Sequence, residues 1–346
     1  MTRFRVALGA VAVAIAVIVV ITLVHPSSPP AASSGGDTVQ PAASRPAAPN
    51  FTGITGWINS APLTVAGLHG KVVLIDFWTF SCVNCVRTIP HLQQLDAAYK
   101  SSGLVIVGVH SPEFDFEKPV SNVKAAVQRL GVTWPVAVDA QMATWNAWQN
   151  SYWPAEYLID QQGRVAYKDF GEGNYDATSA AVATLLGVHN QTPPAATEVP
   201  SDTTPELYAG SERGGLADNE QYGQPGQSVT YPDRGPPQQR DAIQVTGSWV
   251  DHGQYLSAAS AGHVRLRFHA DAVYVVGGSD GGTLNVSVTL DGQPVPASNA
   301  GTALSGSSFG VPRQDLYPLL TAVSSSEHVI DLSVPAGFQL YTFTFG

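Results

Sequence analysis

One stretch, residues 71–91, constrains the fold more than any other part of the chain. It opens with an apolar run over residues 72–78, which predicts a buried strand, and a polar turn and a helix follow. Cys82 and Cys85 lie at the junction of strand and helix, and they are the only two cysteines among 346 residues. An exported scaffold held together by disulfides would carry several cysteine pairs. The single C-x-x-C therefore predicts a redox site rather than a structural staple.

The positions of the two cysteines predict different roles in thiol–disulfide exchange. Cys82 would lie at the helix N-terminus, where free N–H groups and the helix dipole favour the thiolate, the attacking species. Cys85, one turn later, would be more buried and would attack the resulting mixed disulfide to release the product. That attack requires a proton acceptor, and Asp76 on the apolar strand is a candidate. An aspartate facing water at a strand edge is the alternative, and the sequence leaves both open.

The N-terminal segment indicates export. Arg3 and Arg5 precede an uncharged apolar run over residues 6–24, just long enough to cross a bilayer as a helix. We interpret residues 1–25 as a signal anchor with its N-terminus in the cytoplasm, and a cleaved signal peptide as the alternative. Residues 26–50, rich in Pro, Ala and Ser, are interpreted as a linker. Either interpretation places the following domains outside the cytoplasm.

The region 51–188 alternates strand and helix patterns. Apolar runs predict strands, and segments with apolar residues three or four apart predict helices. A turn at residues 161–163 joins two strand-like runs, which makes them antiparallel. We expect an α/β domain with a mixed central sheet and helices on both faces. The predicted strands are 72–78, 104–109, 135–138, 155–160 and 165–170, and the predicted helices are 83–100, 120–130, 142–150 and 177–186.

The region 205–346 changes character after a Pro-rich linker at residues 189–204. Period-two alternation of apolar and polar residues at 264–269, 284–290 and 330–334, separated by Gly-, Asp- and Ser-rich turns, predicts an all-β sandwich. Residues 214–240 are polar and rich in Gly and Pro, and we interpret them as loop. The chain thus predicts two folded domains behind a membrane segment.

The motif F-W-T-F-S-C-V-N-C, with Pro90 five residues after Cys85, resembles the thioredoxin superfamily. In that family an acidic residue commonly stands six residues before the first cysteine, and Asp76 matches that position. A cis-proline faces the disulfide in the family, and Pro154 in Y-W-P-A-E-Y-L-I-D is similar in position. The resemblance implies a thioredoxin fold with a redox-active Cys82–Cys85 disulfide, proton transfer at Asp76, and a cis Pro154 that shapes the substrate groove.

Further motifs are similar to the TlpA/ResA-like branch, and in particular to the exported region of DipZ-type thiol–disulfide proteins. They are G-V-H-S-P-E-F-D-F-E at residues 108–117, and T-P-E-L-Y-A-G-S-E-R at 204–213 with the closing Y-T-F-T-F-G. In that family a carbohydrate-binding-module-like jelly-roll sandwich follows the thioredoxin domain. A DipZ-type chain begins with a multi-helix membrane domain that passes electrons, whereas this chain has one apolar segment. We therefore expect a separate membrane electron-transfer partner of the CcdA/DsbD type.

Four residues near the motif are candidates for the substrate groove: Phe80, Ser81, Glu113 and Trp153. Trp153 adjoins the cis-proline candidate, and Ser81 stands where thioredoxin has a tryptophan. Glu113 follows the second strand of the region, whose end lies on the active-site side of this fold. Alternatively, the aromatic side chains are simply part of the core, and Glu113 is simply solvated in a loop.

Other functions fit the residues less well. A peroxidase motif is half present at Thr79 and Cys82, but Ile75 occupies the position that would need proline. A copper carrier could pair the cysteines with His91 or His110, although such carriers usually space the cysteines more widely. The net charge of −10 argues against a nucleic-acid partner, because binding to phosphate needs clustered Lys and Arg. We expect no metal and no cofactor.

The sequence thus predicts an exported thiol–disulfide oxidoreductase that acts on protein thiols and disulfides. A reductase is favoured because the branch it resembles mostly reduces its substrates. A dithiol oxidase, or a cell-envelope module that binds glycan or protein and carries a redox domain, are the alternatives.

Overall fold

The structure is a computed structural model that describes residues 38–189, 202–324 and 326–346. The predicted signal anchor and parts of both predicted linkers lie outside these residues. In the described ranges, no helix has both the length and the apolarity needed to cross a membrane.

The N-terminal part is built on one six-stranded mixed sheet. Its strands are β1 Gly56–Ile58, β2 Val72–Trp78, β3 Leu104–His110, β4 Val136–Val138, β5 Ala155–Ile159 and β6 Val165–Phe170. The spatial order is β1-β4-β3-β2-β5-β6, with β2, β3 and β4 parallel and the other three antiparallel to their neighbours. The helices are α1 Val83–Tyr99, α2 Val120–Arg129, α3 Ala143–Ala147 and α4 Tyr175–Leu186. This is a thioredoxin fold, as predicted, and only the short edge strand β1 has no counterpart among the predicted strands.

Strand β2 is the centre of the sheet, and all seven of its residues are buried. Its side chains alternate between two apolar clusters, as the pleat of a strand requires. Leu74 and Trp78 pack in the cluster that contains residues of α1, α2 and α4, whereas Ile75 and Phe77 pack in the cluster that contains Trp145 of α3. Asp76 falls on the same face as Leu74 and Trp78, which is the face that carries α1.

Residues 38–50 correct the prediction of a linker up to residue 50. Ala48 N–H donates to Gly163 O, Val165 N–H donates to Pro46 O, and Arg45 pairs with Asp160 at 3.1 Å. The segment lies along the β5–β6 turn because its backbone finds hydrogen-bond partners there, although its composition is typical of a linker.

The C-terminal part is all-β and consists of two antiparallel sheets. One has the order β17-β13-β19-β11-β10-β8, with β7 also paired to β19, and the other has the order β15-β14-β18-β12-β9, with β16 paired to β14. Both sheets contribute to one apolar core, for example through Val275 and Phe343 from the first and Leu266 and Leu332 from the second. The strands are β7 Leu207–Tyr208, β8 Ser228–Tyr231, β9 Gln244–Val245, β10 Gly247–Asp251, β11 Leu256–Ala258, β12 Gly262–His269, β13 Val273–Gly278, β14 Leu284–Leu290, β15 Gln293–Pro294, β16 Ser308–Val311, β17 Asp315–Leu320, β18 Glu327–Val334 and β19 Gln339–Phe345.

The interpretation of residues 214–240 as loop is wrong in one part. Residues 228–231 form β8, which pairs with β10 at the edge of the sheet. Its pairing partner lies about twenty residues further along the chain, so the pattern of residues within the strand alone does not predict it.

Candidate active site

The two cysteines lie at the start of α1, as predicted. Cys82 is the N-cap residue with an extended backbone, and its Sγ accepts the Cys85 N–H at 3.4 Å. Cys82 is partly exposed, whereas Cys85 is 2% exposed, and both are free thiols in this structure. Burial raises the pKa of Cys85 well above its usual value, and the neighbouring Cys82 and Asp76 raise it further. The arrangement gives one accessible sulfur and one sulfur that needs help to lose its proton.

Asp76 is buried beneath this pair rather than facing water at a strand edge. It is 3% exposed, and its Oδ1 has no hydrogen-bond partner. Burial raises its pKa to about 7. A carboxyl group with that pKa can accept and release a proton near neutral pH, which is the property required of a general base.

Asp76 belongs to a row of three carboxyl groups across adjacent strands. Asp76 on β2 is in register with Glu156 on β5, and Glu156 is in register with Asp169 on β6. Directly opposed residues in antiparallel strands lie on one face, with Cβ atoms about 5 Å apart. All three side chains are buried, at 3%, 4% and 2% exposure. Burial and the charges of Asp76 and Asp169 raise the pKa of Glu156 to about 8.

Two carboxyl groups of this row, those of Glu156 and Asp169, accept hydrogen bonds from neutral side chains. Thr178 on α4 donates to Glu156 Oε2 at 3.0 Å, and Asn174 Nδ2 donates to Asp169 Oδ1 at 3.0 Å. Sequence analysis did not identify Glu156 or Asp169. The signal that identified Asp76, an acidic residue in an apolar strand, is also present at Glu156 in the run A-E-Y-L-I.

The peptide bond between Trp153 and Pro154 is cis, which is the geometry that the family resemblance implies. Ala155, the next residue, is in register with Phe77, so Pro154 lies beside the end of β2, from which the chain continues to Cys82. Trp153 is partly exposed, lies 4.2 Å from Trp145 between ring centroids, and donates from Nε1 to a backbone carbonyl at residue 111. Its position remains compatible with the predicted groove.

Phe80 and Ser81, two of the residues predicted for the substrate groove, are buried. Phe80 is 3% exposed and stacks on His110 with ring centroids 5.4 Å apart. Ser81 is 2% exposed, and both its N–H and its hydroxyl donate to Glu117. Both side chains are buried because the turn that precedes Cys82 folds over the end of β3.

Glu113, also predicted for the substrate groove, is engaged by two other side chains. Its carboxylate accepts a hydrogen bond from Tyr208 at 2.7 Å and pairs with Arg213 at 2.8 Å. Both partners belong to the C-terminal part of the chain. Glu113 therefore connects the two parts and is only 6% exposed.

Arg87, on the first turns of α1, forms several hydrogen bonds next to the two cysteines. It donates to the Glu172 carboxylate from Nε at 2.9 Å and from Nη2 at 2.6 Å, and it donates to Asn84 Oδ1 at 2.8 Å. The same guanidinium reaches the backbone carbonyl of Phe345 at 3.5 Å. These residues and Glu206 border a polar cleft of about 360 Å³ beside the C-x-x-C segment.

The two histidines considered for copper are held by other contacts. His91 is 5% exposed and stacks on Tyr175 at 4.4 Å, and burial lowers its pKa to about 4. His110 is fully buried between Trp78 and Phe80, and burial lowers its pKa to about 3. Both are neutral at physiological pH and contribute to packing around the site.

Comparison with known families gives two matches that together cover most of the chain. A family described as Redoxin matches residues 42–186, and a family described as Thioredoxin like C-terminal domain matches residues 204–346.

Individual relatives match different shares of the chain. Protein DipZ of Mycobacterium tuberculosis is 36% identical over 318 residues, which is 86% of this chain and 43% of DipZ. The chain therefore spans less than half the length of that relative. The thiol-disulfide oxidoreductase YkuV of Bacillus subtilis is 28% identical over 36% of this chain and 82% of its own length. The crystal structure of a thiol-disulfide isomerase from Corynebacterium glutamicum matches 41% of this chain and 98% of its own, with 24% identity and a TM-score of 0.37.

Proposed function

The chain belongs to the thioredoxin superfamily, in its TlpA/ResA-like branch, and on that basis we propose that it reduces disulfides of exported proteins. The activity that we propose is that of a thiol–disulfide oxidoreductase. The observation that carries the proposal is the asymmetry of the dithiol: an accessible, N-capping Cys82 next to a buried Cys85 above a carboxyl group whose pKa is about 7.

The proposed reaction starts from the dithiol. The Cys82 thiolate attacks one sulfur of the substrate disulfide, a mixed disulfide forms, and the other substrate sulfur leaves as a thiolate and takes up a proton. Asp76 accepts the proton of Cys85, and the Cys85 thiolate then attacks Cys82 Sγ. The second substrate sulfur leaves as a thiolate and takes up the proton that Asp76 releases through solvent, so the substrate is a dithiol, the enzyme keeps a Cys82–Cys85 disulfide, and two electrons have moved to the substrate. Pro154 would shape the groove in which the substrate lies.

A trapping experiment tests this sequence of steps. In Cys85→Ser the second attack cannot occur, so mixed disulfides through Cys82 should accumulate with exported proteins. They should disappear on treatment with dithiothreitol and be absent from Cys82→Ser. If Cys85→Ser traps no protein under conditions in which it is folded, exchange chemistry is refuted.

The direction of electron flow has its own test. The proposal of a reductase predicts a reduction potential near that of thioredoxin, about −270 mV. A potential near that of the oxidant DsbA, about −120 mV, would instead support a dithiol oxidase. Regeneration of the dithiol requires a donor, and we propose a membrane electron-transfer protein of the CcdA/DsbD type. Deletion of such a protein should leave this dithiol oxidised in cells.

We propose that residues 6–24 anchor the chain in the cell membrane with both domains outside the cytoplasm. The uncharged apolar run behind Arg3 and Arg5 supports this orientation. Protease added to spheroplasts should digest the domains, and mass spectrometry of the membrane fraction should find the N-terminal peptide. Recovery of the protein in the medium without that peptide would favour secretion after cleavage.

Binding of a glycan is a second candidate function, and one cleft in the C-terminal part favours it. We propose that this part is a jelly-roll sandwich of the carbohydrate-binding-module type. A cleft of about 400 Å³ is lined by Tyr255, His252, Asp280 and Gln339, and the Tyr255 ring stacks on His252 with centroids 4.5 Å apart. The Tyr255 ring also stacks on Tyr341 with centroids 4.7 Å apart, and this group of aromatic rings beside carboxylate and amide groups suits a sugar. Binding of the whole chain to a glycan array should be lost in Tyr255→Ala, and equal binding by both proteins would exclude this cleft.

A further inference from the structure

Glu117 is a buried carboxyl group that the proposed reaction does not use. It is 0% exposed, and it follows β3 in a short 3₁₀ turn, Asp115–Glu117. Five donors surround it. Its Oε1 accepts from Thr79 Oγ1 at 2.5 Å, from Ser81 Oγ at 2.6 Å and from Ser81 N–H at 3.2 Å, and its Oε2 accepts from Glu113 N–H at 2.6 Å and Phe114 N–H at 3.0 Å.

The two oxygens of this carboxyl group join two different segments. Oε1 holds residues 79–81, which lead directly into Cys82, the N-cap residue of α1. Oε2 holds the backbone of residues 113–114. One side chain therefore links the two segments by hydrogen bonds.

The second segment is also the surface on which the C-terminal part rests. Glu113 binds Tyr208 and Arg213, and the Arg213 guanidinium lies over the Phe114 ring at 5.0 Å. Phe114 packs edge-on against Tyr341 with ring centroids 5.1 Å apart. Residues 113–117 thus receive side chains from β7, from the chain after it and from β19.

We propose that Glu117 is a positioning residue for the dithiol and that it couples the seating of the C-terminal part on residues 113–117 to the reactivity of Cys82. The inference rests on the proposed function only in taking Cys82 as the attacking thiol. It assigns to the C-terminal part a role in the redox reaction itself, beyond any ligand of its own.

The geometry predicts why glutamine cannot replace Glu117. If the amide oxygen takes the place of Oε2, where it accepts two backbone N–H groups, the NH₂ group must lie against Ser81 N–H. Two donors then face each other, and Ser81 N–H has lost its acceptor in a buried site. The turn before Cys82 must shift, and Cys82 Sγ moves from the position in which it accepts the Cys85 N–H.

The test measures the rate at which iodoacetamide alkylates Cys82, as a function of pH, in the whole chain. In Glu117→Gln the midpoint of this pH profile should move up by about one pH unit, which lowers the alkylation rate at pH 7 about tenfold. The equilibrium with glutathione should shift about tenfold in the same variant, equivalent to about 30 mV. The direction is informative, because loss of a nearby negative charge alone would move the midpoint to lower pH.

The coupling is tested without touching Glu117. In Arg213→Ala/Tyr341→Ala the Glu117 carboxyl group remains, but the ion pair to Glu113 and the ring contacts to Phe114 and Phe116 are lost. The midpoint should move up in this variant too, and the alkylation rate at pH 7 should fall about threefold. Arg129→Ala is the matched control, because it removes an ion pair to Asp315 that also joins the two parts, at 2.7 Å, but does not involve residues 113–117.

Each outcome of these measurements either supports or overturns the proposal. A higher midpoint in both test variants with no change in Arg129→Ala supports the proposal. A lower midpoint in Glu117→Gln, or an unchanged one in the double variant, overturns it. If Glu117→Gln does not fold, the double variant alone carries the test. Alkylation needs no redox partner, so a failure here is distinct from failure of Cys85→Ser to trap a substrate.

Discussion

Replacement of Asp76 by asparagine should make the protein more stable at alkaline pH. An aspartate carboxyl group ordinarily has a pKa of 3.8, but in the folded chain burial raises the pKa of Asp76 to about 7. The folded state keeps the proton between these values, whereas the unfolded state has lost it. The free energy of unfolding therefore falls as pH rises from about 4 to 7, and the deficit is constant above that range.

The size of the effect follows from the two pKa values. Each unit of pH inside the window changes the free energy of unfolding by about 1.4 kcal/mol for one group. Two such units separate pH 5 from the folded pKa of about 7, so Asp76 costs the wild type about 2 to 3 kcal/mol between pH 5 and pH 8. The asparagine in Asp76→Asn does not titrate, so this variant does not lose that free energy of unfolding as the pH rises. Because the Asp76 charge also raises the pKa of Glu156, its removal relieves that group in the same direction.

The assay is equilibrium unfolding in urea at pH 5 and pH 8, followed by tryptophan emission. Six of the seven tryptophans lie in the N-terminal part, so the signal reports on the domain that contains Asp76. Asp160→Asn is the control with the opposite sign. Although burial alone would raise the Asp160 pKa, hydrogen bonds from Arg164 and Arg45 lower it overall. This variant should be destabilised at both pH values.

One result would refute the reasoning. If wild type and Asp76→Asn lose the same stability between pH 5 and pH 8, then Asp76 is already ionised in the folded chain at pH 5. Asp76 would then be a much weaker base for Cys85 than a carboxylate with a pKa of about 7.

Three further predictions concern neighbouring residues. Burial and nearby charges raise the pKa of Glu156 to about 8, so this carboxyl group is mostly protonated at pH 7. The Glu156→Gln variant should therefore reduce a protein disulfide at pH 7 at a rate within about twofold of wild type. A tenfold lower rate would show that the reaction needs the ionised form of Glu156. In the native dithiol, iodoacetamide at pH 8 should modify Cys82 and leave Cys85 intact, because burial raises the Cys85 pKa, and peptide mass spectrometry would reveal the reverse. Gly108→Ala should lower the stability by about 1–3 kcal/mol, since a Cβ there would lie 2.8 Å from Trp78 Nε1; an unchanged thermal midpoint would contradict this.

The sequence predicted the thioredoxin fold well because its central elements are marked by local patterns. Strand β2 has the predicted bounds, since an apolar run between a charged residue and a polar turn has one interpretation. The helix bounds are within a few residues of those predicted. Strands β1 and β8 were missed because each is short and gains its stability from a distant partner, β4 or β10.

The site was predicted in its sulfur chemistry and less well in its surroundings. Cys82 and Cys85 are close to each other in sequence, so their proximity needed no knowledge of the fold. Asp76, Glu156 and Asp169 are brought together only by strand register, and a single sequence does not reveal which strands pair. Glu113 was expected to meet substrate because it follows β3, but its partners come from a region almost a hundred residues further on.

The position of β19 in its sheet has a consequence for how the chain matures during synthesis. β19 follows every other strand in chain order, yet it lies between β13 and β11 and also pairs with β7. The sheet that supports the dithiol is complete once β6 has been synthesised, and the last 159 residues up to Phe345 follow α4. At about 5–20 residues per second, this interval lasts on the order of 10–30 s. During that time Arg87 lacks the Phe345 carbonyl, and the cleft beside the C-x-x-C segment lacks the border formed by Thr344 and Phe345.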